Sequence, residues 1–124
     1  MVILVIDDDS ISRKMIERNL AGSGHSLVMA KDGAHGLKYA VKKKPEAILL
    51  DINMPGIDGF EVLRRLKKES RTHEIPVCML TSKGQMSDVE KALGLGASDY
   101  ITKPTSLQER ERFKKMLEYK LAKF

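Results

Sequence analysis

Apolar residues gather in five short runs, at positions 2–6, 27–30, 47–50, 77–80 and 99–101. Most are continuous rather than alternating, the pattern of parallel strands covered on both faces. The second and fifth runs are the shortest on apolar character and predict the weakest strands. Between them, apolar positions recur at helical spacing. Ile11, Met15, Ile16 and Leu20 share one face of a first predicted helix, which Gly22 and Gly24 end. Ala34, Leu37 and Val41 mark a second, closed by Pro45. Val62, Leu63 and Leu66 mark a third, with Arg64, Arg65, Lys67 and Lys68 turned outward. Val89, Ala92 and Leu93 mark a fourth, before Gly94 and Gly96. Leu107, Phe113, Met116, Leu117 and Leu121 mark a long fifth.

Alternating strands and helices imply βαβ crossovers, hence a doubly wound α/β fold with helices on both faces of a five-stranded parallel sheet. No linker or low-complexity stretch interrupts the pattern, so residues 1–124 read as one domain. In such sheets the ligand site lies beyond the carboxyl ends of the strands. Polar residues with chemical capability do follow the runs: Asp7-Asp8-Asp9 after the first, Asp51 after the third, Thr81-Ser82 after the fourth, Thr102-Lys103 after the fifth.

Composition narrows the classes. With 42% hydrophobic and 31% charged residues over 124 positions, the chain can bury a real core. The opening apolar run is too short to span a membrane and lacks the leader and cleavage site of a signal peptide. The one cysteine, Cys78, lies in an apolar run and reads as a buried structural thiol, which fits a reducing cytoplasm. The net charge of +5 is mostly a property of the end: residues 103–124 hold seven Lys or Arg and three Glu. Aromatic residues make up 5%, with no Trp, which offers little for base stacking. A solvated basic helix or a protein-docking face is the expectation, without direct nucleic-acid or membrane binding.

Carboxylates converging at strand ends raise one another's pKa unless a cation joins them. Oxygen-only ligands favour Mg²⁺, Mn²⁺ or Ca²⁺ over zinc. A lysine and a threonine at the same rim add a positive point charge and a hydroxyl. That set suits a phosphoryl group, and an aspartate oxygen can itself be the attacking atom. The residues alone therefore reach a Mg²⁺-dependent phosphoryl acceptor or phosphate-handling site, without deciding between them.

Four segments in this order resemble the receiver domains of two-component response regulators, including the single-domain chemotaxis type. They are Ile6-Asp7-Asp8-Asp9-Ser10, the stretch from Leu49 through Asp51-Ile52-Asn53-Met54-Pro55-Gly56 to Gly59, Leu80-Thr81-Ser82, and Gly96 through Tyr100-Ile101-Thr102-Lys103-Pro104. The resemblance spans essentially the whole chain and implies a flavodoxin-like receiver fold with strand order 2-1-3-4-5. It implies Asp51 as phosphoacceptor, Asp8 as a direct Mg²⁺ ligand and Asp7 acting through metal-bound water. Asn53 would offer its backbone carbonyl to the metal. Lys103 would pair with a phosphoryl oxygen, Thr81 would hydrogen-bond another, and Tyr100 would be the aromatic switch that follows Thr81. The Lys103-Pro104 bond is expected to be cis. Asn53 and Lys83 occupy the two positions that tune phosphoryl lifetime. A histidine kinase or phosphotransfer protein is implied as donor, and the face of helix 4, strand 5 and helix 5 as the surface that addresses a protein target. No turnover enzyme is expected, only self-phosphorylation and self-dephosphorylation, in a monomer or a phosphorylation-dependent dimer.

Other residues take plainer readings. Asp9 and Ser10 are expected to cap the first helix, Asp58-Gly59 to form a turn and helix start, and Asp99 to sit at a rim or turn. His25, His35 and His73 have no metal-ligand spacing. The family pattern fails in one place: Thr105 and the charged stretch from Gln108 to Arg112 stand where apolar residues usually open the fifth helix, which implies a displaced start or thinner packing. An aspartyl-nucleophile phosphatase would carry a second acid two residues after the nucleophile, where this chain has Asn53. A phosphorylation-independent scaffold conflicts with the complete acidic set. The start at Met1 and the long last helix favour a free-standing domain.

Overall fold

The computed structural model describes residues 1–82 and 84–124. Lys83, one of the two expected lifetime-tuning residues, lies outside them. Among the described residues five strands alternate with five helices: β1 Val2–Ile6, α1 Ser10–Asn19, β2 Ser26–Ala30, α2 Gly33–Lys43, β3 Ala47–Asp51, α3 Gly59–Lys68, β4 Val77–Thr81, α4 Met86–Gly94, β5 Asp99–Thr102 and α5 Leu107–Ala122. Each strand pairs in parallel, in the order β2-β1-β3-β4-β5. The central strands β3 and β4 are buried at every position, whereas the edge strands β2 and β5 are only partly so. Partial burial explains why those two runs carry the weakest apolar signal.

Side chains alternate across the sheet, so it builds two cores. Leu4, Ile6, Ile48, Leu50 and Met79 point into one with Val62, Leu63 and Leu66 of α3. Ile3, Val5, Leu49, Cys78 and Leu80 point into the other with Ile16 of α1 and Phe113, Leu117 and Leu121 of α5. Helix starts follow local chemistry: the Asp9, Asp32, Asp58 and Ser106 side chains each accept a backbone N–H of α1, α2, α3 and α5. The expected caps at Asp9 and Asp58 are in place, with Ser10 as the first helical residue of α1.

The structure corrects several faces. Ile11 is 73% exposed, and Ser12 takes the inward position of the first turn. Ala34 is exposed, while Gly33, Gly36 and Ala40 form the buried stripe of α2. A Cβ on Gly36 would stand 2.6 Å from Ile6 Cδ1, so glycine is what lets α2 lie on β1. Lys67 does not turn outward: its Nζ donates to the carbonyls of His73 and Ile75, which pins the loop before β4. Arg64 is half-buried against Glu61. Leu93 and Met116 are exposed. The opening of α5 packs thinly, as its composition implies. Leu107 is exposed, the first buried residue is Phe113, and a cleft of about 460 Å³ opens between β5 and α5 along Ile101, Pro104, Phe113 and Met116.

Candidate functional site

The carboxyl ends of β1, β3, β4 and β5 carry Asp7, Asp51, Thr81 and Lys103 to one rim. Parallel register aligns these ends. Asp51 closes β3 opposite Leu80, and Thr81 pairs with Thr102, the residue before Lys103. The Lys103 backbone N–H donates to the Thr81 carbonyl at 2.7 Å, which fixes the root of the lysine beside the pocket. A glycine sets the other wall. A Cβ on Gly59 would lie 2.3 Å from the Asp51 carbonyl oxygen, so only glycine lets α3 begin against the end of β3.

Asp7 is fully buried and both oxygens of its carboxylate are engaged. Oδ1 accepts the Asp9 N–H at 3.0 Å, and Oδ2 accepts the Ser12 hydroxyl at 2.6 Å and the Lys103 ammonium at 2.8 Å. The Arg13 guanidinium donates to the Asp7 carbonyl at 2.6 Å. Asp51 is 6% exposed and has fewer partners: the Asn53 N–H donates to Oδ1 at 3.2 Å, and Lys103 Nζ lies 3.4 Å from Oδ2. Burial pushes the Asp51 carboxyl up to about 6, Lys103 opposes this, and the neighbouring charge of Asp7 adds to it. Burial works to lower the Lys103 ammonium, but the hydrogen bond and charge of Asp7, followed by Asp51, hold it above its usual value.

Asp8 is exposed at the mouth. Asp7, Asp8 and Asp51 can each bring a carboxylate oxygen within 4.8 Å of the other two. Lys103 pairs with two of the three carboxylates, Asp7 and Asp51, and every donor is oxygen. That set fits a hard divalent cation such as Mg²⁺ or Mn²⁺. Asn53 stands at the same rim through its bond to Asp51.

Thr81 is buried, and its hydroxyl lies 3.2 Å from both the Ser82 carbonyl and Gln85 Oε1. Tyr100 is half-buried in β5, with Lys120 Nζ 4.9 Å from its ring centroid. Asp99 is not a rim or turn residue. It opens β5, at the amino end of the strand rather than the carboxyl end that borders the acidic pocket, and forms an ion pair with Lys120 at 2.8 Å. The expected cis bond is also absent: among the described residues every peptide is trans, including Lys103-Pro104. Trans is the lower-energy form by about 0.5–1 kcal/mol, and Lys103 reaches the pocket from it.

Sequence reasoning passed over Ser12, Arg13 and Gln85. Ser12 left a signal, because a hydroxyl occupies the inward register of α1 one turn before Ile16. Arg13 and Gln85 left none. Their contacts depend on where the loops place them.

The family model described as "response regulator receiver domain" matches residues 3–116. The chain therefore belongs to the response-regulator receiver family. It is 42% identical over 107 residues to the DNA-binding dual master transcriptional regulator RpaA of Synechocystis, an alignment that covers 86% of this chain and 44% of RpaA. The chain thus spans less than half the length of such curated relatives. Among solved structures it resembles the phosphorylated cyanobacterial phytochrome response regulator RcpA (TM-score 0.86, 28% identity, covering 99% of this chain and 95% of RcpA). It also resembles the Mn²⁺-bound form of response regulator Rcp1 (TM-score 0.81, 29% identity, covering 94% and 91%). Among the described residues no helix is long and apolar enough to cross a membrane.

Proposed function

We propose that this receiver domain takes a phosphoryl group onto Asp51 from a phosphohistidine on a kinase or phosphotransfer protein, and that the modified state changes the affinity of its α4-β5-α5 face for a protein target. The observation that carries the reading is the convergence of Asp51, Asp7, Asp8, Thr81 and Lys103 on one rim, with Asp51 the least satisfied of the buried carboxylates. Its pKa of about 6 leaves it mostly ionised, and so nucleophilic, at neutral pH.

An Asp51 oxygen attacks phosphorus, the N–P bond breaks, and its electron pair stays with the donor imidazole. Lys103 balances charge on the phosphoryl oxygens and the Thr81 hydroxyl turns to donate to one of them. Asp8 and Asp51, with the Asn53 backbone carbonyl and Asp7 through water, would hold the divalent cation. When bound, that cation supplies charge neutralisation to carboxylates and phosphoryl oxygens together. Asp7 suits the indirect role because both its oxygens already serve protein donors. Asn53 and Lys83 set how long the acyl phosphate lasts, and Tyr100 follows Thr81 to carry the change outward. The new interactions need favour one state by only a few kcal/mol to reverse a population. The domain acts as a cytoplasmic signalling acceptor rather than a turnover enzyme. RpaA is named as DNA-binding, and this chain aligns with 44% of its length.

Incubation with acetyl phosphate and Mg²⁺ tests this. Intact-mass analysis is expected to show one adduct, lost in Asp51→Asn and reduced in Asp8→Ala. A folded wild-type protein without an adduct overturns the reading.

A further inference from the structure

Gln85 is the residue before α4, in the place where each of the other helices has a side chain accepting a backbone N–H. The Gln85 side chain makes no such bond. Its Oε1 is turned back toward the pocket, where it meets three donors: Asn53 Nδ2 at 3.0 Å, the Thr81 hydroxyl at 3.2 Å and the Ser82 N–H at 3.2 Å. Asn53 lies in the loop after β3, Thr81 ends β4 and Ser82 follows it, so a single amide oxygen ties both walls of the site together. An amide oxygen offers two lone pairs, so the three donors share them. The forgone cap is a local cost of the kind that functional sites carry.

We infer that Gln85 is a positioning residue that latches the unphosphorylated site. This rests on the proposed role of Asp51. A threonine hydroxyl has one proton. While Gln85 Oε1 and the Ser82 carbonyl share it, that proton is not available to a phosphoryl oxygen. Thr81 must leave Gln85 to serve the modified Asp51, and the bond it gives up opposes switching. The Asn53 amide is held by the same oxygen, so the side chain beside the acceptor is fixed by the latch as well. Gln85 therefore sets part of the equilibrium between the two states without touching the phosphoryl group.

The test uses beryllofluoride with Mg²⁺ as a stand-in for the phosphoryl group, with affinity read by calorimetry. Gln85→Ala is expected to bind about 3- to 10-fold more tightly than the wild type, the size of one exchanged neutral hydrogen bond. The gain should shrink below about 2-fold in a Thr81→Ala background, because the coupling runs through that hydroxyl. Gln85→Glu should bind more weakly than the wild type, since a carboxylate is the stronger acceptor and adds negative charge at the rim. Unchanged affinity in Gln85→Ala, or an equal gain in both backgrounds, overturns the latch. Complete absence of binding in wild type overturns the phosphoacceptor reading instead. The latch then stands or falls on NMR of the free protein: Gln85→Ala must shift the Asn53 side-chain amide and change the Thr81 χ1 couplings. Gln85→Ala removes the bonds that its Oε1 accepts and no helix cap, so the variant is expected to fold, with a stability loss no larger than the affinity gain.

Discussion

The Lys103 ammonium lies closer to Asp7 than to Asp51, at 2.8 Å from one carboxylate and 3.4 Å from the other. In the free protein the lysine is thus chiefly the counter-ion of a fully buried aspartate, and its reach toward the acceptor is secondary. In the proposed mechanism, structure and switching draw on the same ammonium.

Lys103→Met should therefore cost stability as well as function. It leaves the Asp7 charge buried with only the Ser12 hydroxyl and the Asp9 N–H to hold it. Removing one partner of a buried pair commonly costs about 3–5 kcal/mol, and those remaining bonds reduce the expected loss to about 2 kcal/mol. Urea denaturation of the metal-free protein at neutral pH measures it. A variant as stable as wild type would show that Lys103 contributes nothing to holding Asp7.

Asp51→Asn should act in the opposite direction. The folded-state pKa of Asp51, about 6, is above its ordinary value of 3.8, so ionisation favours the unfolded chain. The contribution is fully favourable below 3.8 and is lost as pH rises through about 6. At neutral pH the ionised acceptor costs at most about 3 kcal/mol. The lost contact with Lys103 takes back part of the gain, so the variant should be about 1–2 kcal/mol more stable without divalent cations. Thermal melts at pH 4.5 and 7.5 check the sign, with the difference between variant and wild type larger at pH 7.5. Millimolar Mg²⁺ should raise the wild-type midpoint and leave the variant nearly unmoved.

Gly59→Ala tests the geometry that seats the acceptor. The added Cβ would fall 2.3 Å from the Asp51 carbonyl and 2.7 Å from Ile52 Cα, both backbone atoms that cannot swing aside. Either α3 shifts or the end of β3 does. A loss of more than about 2 kcal/mol is expected. The adduct yield at Asp51 should fall in the fraction that remains folded. Gly56→Ala, with open space around its Cβ but a φ of 73°, should cost only about 1 kcal/mol and keep the yield.

How much of this could be read from the residues depends on the kind of contact. Asp7, Asp51 and Thr81 were legible because buried parallel strands show as continuous apolar runs, and the first polar residue after each run marks its carboxyl end; Lys103 follows Thr102 after the weaker fifth run. The faces of α1 and α2 were not, because hydrophobic periodicity is blind to a buried serine or glycine. Ser12 faces inward to serve Asp7, Gly36 to let α2 approach β1, and Gly33 to clear Val62 and Ile57. Asp99 looked like a rim residue since its partner, Lys120, is 21 positions away on another element. The Gln85 latch joins two loops whose relative placement no local pattern encodes. The cis form at Lys103-Pro104 came from resemblance alone, and the trans bond serves the same lysine.

Lys120→Met tests whether the amino end of β5 is held by charge. Lys120 Nζ donates to Asp99 Oδ1 at 2.8 Å and to the Tyr100 carbonyl at 2.5 Å, with its side chain 12% exposed. Burial works to raise the Asp99 carboxyl, but the Lys120 hydrogen bond and the Tyr100 N–H hold it below the usual value. A depressed folded-state pKa gives stability that is present above 3.8 and is lost as pH falls through the folded value. Lys120→Met should thus cost about 1–2 kcal/mol at pH 7, with a smaller penalty once pH has fallen through the folded value and Asp99 has taken a proton. Cys78 supplies a local readout, since it pairs with Asp99 in the register of β4 and β5. Burial, helped by the Asp99 charge, pushes its thiol up to about 12, so it reacts with a disulfide reagent only through opening of the fold. If Lys120 holds β5 and α5 closed, native-state labelling of Cys78 should quicken about 5- to 30-fold in Lys120→Met, in step with the stability loss. Labelling at the wild-type rate would show that this ion pair contributes nothing to keeping the edge shut.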